Sequence, residues 1–147
     1  RMARTPFSGF SSVSSDWRVV GATLIKAGSL DSLASQERRK AASYVRDQVL
    51  SSCDDLTDGL VVAYEPVWAI GSGEAASADV ARSMHLDIKT ALADRYADLR
   101  VIYGGSVKPD NCAAFTTAEG VDGLLVGGAS LSAESFWTIC AAAIGAE

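Results

Sequence analysis

The sequence predicts an α/β protein built around a parallel β-sheet. Two observations support that fold class. Strand-like and helix-like segments alternate four times along the 147 residues, and three of the four strand-like segments are nearly continuous apolar runs. Strands that are buried on both faces have such sequences, and this alternation requires parallel strands joined by helical crossovers. Either a doubly wound sheet or part of a (β/α)8 barrel fits the pattern, although a full barrel takes ~250 residues.

The first strand–helix unit follows a segment without periodicity. Residues 1–16 are rich in serine, so we expect an irregular lead-in there and a folded domain over residues 17–147. Residues 18–25 (RVVGATLI) are rich in β-branched side chains, which is typical of a strand. Residues 29–53 carry apolar side chains near helical spacing and are predicted to form an amphipathic helix.

The second unit has the clearest helix signal. Residues 59–65 (GLVVAYE) predict a strand, and residues 76–96 predict a helix. Ser77 is a suitable N-cap for that helix because its hydroxyl can accept a hydrogen bond from a free N–H group of the first turn. Val80, Met84, Ile88 and Leu92 form its apolar stripe.

The third and fourth units are shorter. Residues 99–105 predict a strand and residues 108–118 a short helix, with Pro109 in its first turn. Residues 121–128 predict the fourth strand and residues 134–144 the last helix.

The composition excludes several classes of function. The net charge is −5, the pI is about 4.8, and no stripe of lysines and arginines is present, so we expect neither a nucleic-acid nor a membrane-surface partner. No apolar run approaches the ~20 residues of a membrane span. Cys53, Cys112 and Cys140 are widely spaced and form no metal or redox motif, so we predict reduced thiols and no metal site.

Three of the predicted strands end in residues suited to chemistry. The second ends at Glu65, the third at Gly104-Gly105-Ser106 and the fourth at Gly127-Gly128. Ligands of parallel α/β folds bind at the carboxyl ends of strands. Because glycine has no Cβ, its backbone N–H can approach an anion closely, and a following helix adds the positive end of its dipole. Two such glycine pairs on consecutive strands indicate a phosphate site.

Glu65 is well placed for proton transfer beside such a phosphate site. A carboxylate at a strand's carboxyl end can act as a general base. Pro66 stiffens the exit from the strand, and Gly71 and Gly73 provide conformational freedom further on. The apolar residues 67–70 between them can close over the site and exclude water.

Three motifs resemble one enzyme family. VVAYEPVWAIGSG is similar to the signature of triosephosphate isomerases, and RVIYGGSVKPDN and DGLLVGGASL resemble the last two strand ends of the same family, in the same order. The resemblance covers residues 59–140 well and residues 18–58 loosely. It implies a TIM (β/α)8 barrel of which this chain carries about four units, matching the family's fifth to eighth: a C-terminal half-barrel.

The resemblance also implies roles for individual residues. Glu65 matches the catalytic base that interconverts dihydroxyacetone phosphate and D-glyceraldehyde 3-phosphate through an enediolate. The positions that match the phosphate-binding backbone amides are Gly71, Ser106, Gly127 and Gly128. The positions that match the mobile lid and its latch are Pro66, Val67, Trp68, Ser72, Gly73 and Tyr103. Lys89 and Asp122 match family positions that form an ion pair.

Some of the family's catalytic groups have no counterpart here. The family's asparagine and lysine come from its first strand and its histidine from its fourth, and the sole histidine of this chain, His85, falls within the second helix. We therefore expect a structural or surface role for His85. Two functions stay open: an isomerase, or a non-catalytic phosphate-binding half-barrel or assembly module.

Family membership implies a setting and partners. It implies a cytoplasmic, homodimeric enzyme of glycolysis and gluconeogenesis, with a phosphorylated triose as substrate and no cofactor. A half-barrel has two open strand edges, so we expect self-association or an N-terminal half-barrel as partner.

Overall fold

The computed structural model describes four stretches of the chain: residues 19–24, 35–53, 60–66 and 75–145. The predicted irregular lead-in and all of the predicted lid after Pro66 lie outside these ranges.

The core of the fold is a parallel sheet of four strands in chain order. The strands are β1 (Val19–Leu24), β2 (Val61–Pro66), β3 (Arg100–Gly104) and β4 (Gly123–Leu125). Each strand therefore pairs with the one that precedes it in sequence. A doubly wound sheet reverses its strand order at a switch point, whereas a barrel adds strands sequentially. The observed order favours the barrel alternative.

A helix follows every strand, as predicted. The helices are α1 (Ser35–Ser52), α2 (Ala78–Leu92), α3 (Cys112–Thr116) and α4 (Ala133–Ala143), and a 3-10 turn at Gly128–Leu131 precedes the last one. The predicted N-cap is confirmed, because the Ser77 hydroxyl accepts a hydrogen bond from Val80 N at 3.3 Å.

The expected start of the third helix is wrong. Pro109 does not lie in the first turn of α3, because the helix begins only at Cys112. The Asn111 side chain explains the delay: its Oδ1 accepts from Lys108 N and its Nδ2 donates to Ser106 O, each at 2.8 Å. These bonds hold the preceding residues in a turn.

The fourth strand is shorter than expected. β4 covers three residues rather than residues 121–128, since its neighbour β3 ends at Gly104 and offers no partner further along. The chain then leaves the sheet and enters the 3-10 turn at Gly128.

The hydrophobic core lies between the sheet and the helices. From the strands it takes Val62, Tyr64, Val101 and Tyr103, all completely buried. From the helices it takes Val45 and Val49 of α1, Met84, Ile88 and Leu92 of α2, and Phe115 of α3. The predicted stripe of α2 is therefore the face that packs on the sheet, with Val80 partly buried at its start.

His85 belongs to this core and not to the surface. Its ring packs edge-on against Tyr64, with 5.8 Å between the ring centroids, and its Nδ1 lies 3.3 Å from Gly120 O. Burial lowers the pKa of His85 to about 4. The histidine is thus a neutral packing group.

The predicted Lys89–Asp122 pair is confirmed. Lys89 Nζ lies 2.7 Å from Asp122 Oδ2 and joins α2 to the start of the fourth strand. The same carboxylate oxygen accepts a hydrogen bond from Val101 N at 2.6 Å. Asp122 therefore links a helix and two neighbouring strands.

The cysteines and the helices can be compared with what the composition predicts. Cys53, Cys112 and Cys140 form no disulfide within the described residues; the first two are buried and Cys140 is partly buried. None of the helices in the described ranges is long and apolar enough to cross a membrane.

Candidate active site

Glu65 lies at the carboxyl end of β2, directly beside the third strand. It is the next-to-last residue of β2, and its neighbour Tyr64 pairs with Tyr103 of β3. The Glu65 side chain is partly exposed, whereas Tyr64 and Pro66 on either side of it are buried. The alternation of side chains along a strand explains this difference. The buried neighbours point toward the helices and the carboxylate points to the opposite face of the sheet.

The Glu65 side chain packs against the backbone of Gly104. A Cβ built on Gly104 would lie 2.5 Å from Cγ and 3.1 Å from Cδ of Glu65. Non-bonded carbon atoms do not approach as closely as 2.5 Å, so the carboxylate stem occupies the space that any side chain at position 104 would need. The absence of a side chain at Gly104 thereby leaves room for Glu65 over the end of β3.

One pocket joins Glu65 to the glycine-rich strand ends. It has a volume of about 930 Å³ and opens at the carboxyl ends of β2, β3 and β4. Its lining residues are Glu65, the stretch from Gly104 to Asp110, the stretch from Leu125 to Ala129, and Ser135. The structure therefore brings together Glu65, Ser106, Gly127 and Gly128 from separate strands, as the sequence predicted for a common site.

The second glycine pair faces open space. A Cβ at Gly127 or Gly128 would meet no atom of the described residues within 4 Å. Packing among the described residues therefore does not require glycine at either position. Gly128 begins the 3-10 turn, whose first backbone N–H groups have no acceptor within the turn itself. Both features suit the close approach of an anion to the backbone.

The first glycine pair is held by a tight turn. Val107 N donates to Gly105 O at 2.9 Å, and Asn111 binds the backbone on both sides of Val107. Ser106 is thus fixed between two sets of hydrogen bonds. An anion site made of backbone amides needs this kind of rigidity, because the amides must be oriented before the ligand arrives.

Tyr103 connects β3 to the segment that follows the predicted lid. Its hydroxyl accepts a hydrogen bond from Ala76 N at 3.0 Å, three residues beyond Gly73. Its ring stacks on Phe115, with 4.3 Å between the centroids. Burial raises the pKa of Tyr103, and the Ala76 N–H opposes that rise. The tyrosine therefore anchors the segment at Ala76 to the third strand.

Several predicted site residues cannot be placed. Gly71, Val67, Trp68, Ser72 and Gly73 lie outside the described residues. Of the predicted lid, the described ranges include only Pro66, which ends β2 and is buried.

Sequence reasoning missed several residues at the site. Asp110, Leu125 and Ser135 line the pocket without having been singled out. The sequence placed Gly104 in a strand-end glycine pair but indicated neither its contact with Glu65 nor the hydrogen bonds of Asn111. A serine, threonine, aspartate or asparagine just before a helix is a recognisable turn signal. That signal could have identified Asn111, whereas the contact between Gly104 and Glu65 depends on how two strands are aligned.

The charged groups of the pocket are few. Two carboxylates, Glu65 and Asp110, and one ammonium group, Lys108, line it. His85 is not among the lining residues. In the four described stretches, no group of three or more His, Cys, Asp and Glu side chains could hold a metal ion.

Comparisons with known proteins agree with these features. The family model described as Triosephosphate isomerase matches residues 30–143. Triosephosphate isomerase of Marinobacter nauticus is 47% identical over 117 residues, covering 75% of this chain and 46% of that protein. Triosephosphate isomerase of Xanthobacter flavus is 40% identical, covering 88% of this chain and 54% of that protein. A relative from Secale cereale, named as chloroplastic, is 43% identical, covering 74% of this chain and 39% of its own length.

The chain thus spans about half the length of the curated relatives it matches. The family match includes every residue that lines the pocket, together with the helices and strands that position them. By its sequence, its sequential parallel sheet and this match, the chain belongs to the triosephosphate isomerase family.

Proposed function

We propose that this chain carries the base and the phosphate-binding part of a triose-phosphate isomerase. Glu65 is the base, and the substrate pair is dihydroxyacetone phosphate and D-glyceraldehyde 3-phosphate. Residues 17–147 act as one folded unit, which the family match over residues 30–143 supports. The observation that carries the proposal is the pocket that Glu65 shares with Ser106, Gly127 and Gly128.

The proposed chemistry follows from that arrangement. Backbone N–H groups at Ser106, Gly127 and Gly128 hold the phosphate, and Gly71 adds another from the lid. With the phosphate held, the carbon next to the substrate's carbonyl lies near the Glu65 carboxylate. Glu65 removes a proton from that carbon to give the enediolate and returns it to the neighbouring carbon. A second proton passes from the hydroxyl oxygen to the former carbonyl oxygen, so that the carbonyl and hydroxyl groups exchange places. Fixing the phosphate end makes the transfer effectively unimolecular.

The lid completes the proposed site by excluding water. Pro66, Val67, Trp68, Ser72 and Gly73 form it, and Tyr103 latches its far end. The hydrogen bond from Ala76 N to the Tyr103 hydroxyl supports this role for the tyrosine. Closing an apolar segment over the substrate strengthens every electrostatic interaction inside the site.

Turnover needs an electrophile, and no histidine is among the described residues that line the pocket. The enediolate carries negative charge, and removing one donor that stabilises such an oxyanion typically costs 10²–10³-fold in rate. His85 is buried in the core, and Lys108 is the one cation among the described lining residues. We therefore propose that activity requires the β/α units that make up the other half of the relatives' length.

An assay of complementation tests this proposal. The 147-residue chain is mixed with the N-terminal half of the Marinobacter nauticus relative, and triose phosphate isomerisation is followed. We expect turnover in the mixture and a 10²–10⁴-fold loss with Glu65→Gln, the range for a general base. Glu119→Gln is the matched control, because Glu119 pairs with Arg82 and does not line the pocket. Absence of turnover in a folded, associated mixture contradicts the proposal.

A second function, phosphate binding without catalysis, is favoured by the position of His85. The described pocket has a base and an anion site and no histidine. In that case glycerol 3-phosphate binds the chain, and no mixture with an N-terminal half turns over triose phosphate. Detectable turnover that disappears with Glu65→Gln excludes this alternative.

The setting of the proposed enzyme follows from its family. We propose a cytoplasmic protein with no cofactor, although one matched relative is named as chloroplastic. The proposed protein partners are a second copy of the chain or an N-terminal half-barrel. An N-terminal half restores turnover, whereas a second copy supplies no further type of side chain.

A further inference from the structure

The turn between β3 and α3 is held by a side chain that stands behind the pocket. Asn111 is partly buried and is not among the described residues that line the pocket. Its Nδ2 donates to Ser106 O and its Oδ1 accepts from Lys108 N, each at 2.8 Å. One planar amide group thus binds the backbone both before and after Val107.

The Asn111 side chain has a defined position relative to this turn. The Val107 side chain is only 4% exposed and belongs to the hydrophobic core, so it anchors the middle of the turn. The backbone N–H groups of Asn111 and Cys112 both donate to Lys108 O, at 3.2 and 3.0 Å. Asn111 is therefore attached to the turn by its backbone as well as by its side chain.

Two hydrogen bonds set the orientation of the peptide group between Ser106 and Val107. Its carbonyl oxygen, Ser106 O, accepts from Asn111 Nδ2 at 2.8 Å. Its N–H group, on Val107, donates to Gly105 O at 2.9 Å. Because a peptide group is planar and this one is trans, bonds at its two opposite sides prevent the plane from rotating.

The peptide group between Gly105 and Ser106 is oriented as a consequence. Gly105 O is its carbonyl oxygen and the Ser106 N–H is its donor, and the two point in opposite directions in a trans peptide. The bond from Val107 N to Gly105 O therefore also determines the direction of the Ser106 N–H. That N–H is one of the groups that hold the phosphate in the proposed function.

We propose that Asn111 is a positioning residue for the phosphate site. It orients the Ser106 N–H through two successive peptide groups and does not itself contact the substrate. This role rests on the proposed function, since it concerns the same phosphate. A donor that is oriented before the anion arrives needs no reorganisation on binding, and the groups that orient it must themselves be fixed. Asn111→Ala therefore weakens phosphate binding without removing any group that contacts the phosphate.

Titration of the 147-residue chain with glycerol 3-phosphate, followed by the NMR signals of the backbone amides, tests this role. The amide signals of Ser106, Gly127 and Gly128 are expected to shift on binding. Asn111→Ala is expected to raise the dissociation constant at least about tenfold, the effect of losing one hydrogen bond to a charged group. At saturation the shift is expected to disappear at Ser106 and to persist at the two glycines.

Thr117→Ala is the matched control for a general loss of stability. Thr117 Oγ1 donates to Ala113 O at 2.9 Å at the end of α3, and Thr117 is not among the described residues that line the pocket. The substitution removes a hydrogen bond between a side chain and the backbone, of similar length, from the same part of the chain. It is expected to leave the dissociation constant and the three amide shifts unchanged. Urea denaturation checks that both variants are folded.

Asn111→Asp is a second variant, which keeps one of the two hydrogen bonds. A carboxylate oxygen still accepts from Lys108 N, whereas the oxygen that replaces Nδ2 has no proton to donate to Ser106 O. We expect the Ser106 shift to disappear while the Lys108 amide keeps its protection from hydrogen exchange. The added charge repels the phosphate as a whole, so comparison of Ser106 with the two glycines at saturation separates orientation from repulsion.

The results distinguish failure of this role from failure of the proposed function. If the unchanged chain does not bind glycerol 3-phosphate, both are overturned. If it binds and Asn111→Ala binds with the same dissociation constant, the positioning role alone is overturned. Equal changes at Ser106, Gly127 and Gly128 in both Asn111 variants overturn it as well, because they show a general disturbance of the pocket.

Discussion

Gly104 influences the candidate base because it has no side chain. The aliphatic part of Glu65 occupies the space of a methyl group at position 104, with a distance of 2.5 Å between the built Cβ and Glu65 Cγ. We predict that Gly104→Ala lowers the free energy of unfolding by about 1–3 kcal/mol, the usual cost of overpacking. Urea denaturation measures this loss.

Two further variants identify the cause of that loss. If the clash with Glu65 is responsible, Gly104→Ala combined with Glu65→Ala costs less than the sum of the two single changes. Gly128→Ala is the matched control, since its Cβ would meet nothing within 4 Å in the described residues. This explanation is contradicted if the losses of the two single variants add up to that of the double variant, or if Gly128→Ala causes an equal loss of unfolding free energy.

His85 makes the stability depend on pH. Burial holds its folded pKa at about 4, below the ordinary 6.5, with Asp122 opposing that shift and Lys89 adding to it. The neutral ring is the form that fits the core. Stability is therefore complete above pH 6.5 and falls as the pH drops toward 4, by up to about 3 kcal/mol. Unfolding free energies of the chain and of His85→Gln, measured from pH 8 to 4, test this.

Comparison of the chain with His85→Gln isolates the contribution of His85 to the pH dependence of stability. Every carboxylate is common to both proteins, so the difference between the two stability curves contains the contribution of His85. We expect the chain to lose stability more steeply than His85→Gln below pH 6.5. Parallel curves would mean that the ring is protonated without cost to the fold.

At the scale of elements, Tyr103 and Tyr64 form a natural pair for comparison. They are aligned across β2 and β3, and both are completely buried. The Tyr103 hydroxyl binds Ala76 N, whereas the Tyr64 hydroxyl has no hydrogen-bond partner among the described residues. Burial raises the pKa of Tyr64, with Tyr103 as a second cause, so Tyr64 remains protonated.

The same substitution should therefore have different effects at the two positions. Tyr103→Phe is expected to cost about 1–3 kcal/mol, because the Ala76 N–H loses its partner. Tyr64→Phe is expected to cost less than about 0.5 kcal/mol, because no hydrogen bond is lost. Hydrogen exchange provides the local readout: the Ala76 amide exchanges faster in Tyr103→Phe and at the original rate in Tyr64→Phe. Equal protection of the Ala76 amide in both variants would contradict the proposed role of Tyr103 as the latch of the lid.

The sequence predicted the boundaries of helices and strands where local signals and packing agreed. The start of α2 was predictable, because Ser77 provides a local cap and the apolar stripe repeats with helical spacing. The start of α3 was not, because Pro109 suggested a first turn while the two hydrogen bonds of Asn111 maintained a loop. The length of β4 depended on where β3 ends, which is a property of the pairing and not of β4's own residues.

At the scale of the whole molecule, the site depends on the sheet's strand order. The motifs at Glu65, Ser106 and Gly128 were visible in the sequence, and parallel strands put their carboxyl ends at one edge. Alternation of strands and helices could not distinguish a doubly wound sheet from a barrel, however. The sequential order β1-β2-β3-β4 favours the barrel and lets three strand ends open into one pocket. The contribution of Lys108 and Ser135 to the pocket follows only from that assembly.

Because the pocket joins three strand ends, a bound anion should stabilise the whole fold. We predict that glycerol 3-phosphate raises the free energy of unfolding, by about 2.7 kcal/mol at a concentration of 100 times its dissociation constant. Gly128→Val should abolish this increase, since the new side chain would enter the open space beside the 3-10 turn where the phosphate is proposed to bind. Sodium chloride at equal ionic strength controls for general screening. Thermal denaturation of both proteins with and without the ligand measures the effect. An equal gain in the two proteins would place the anion elsewhere on the molecule.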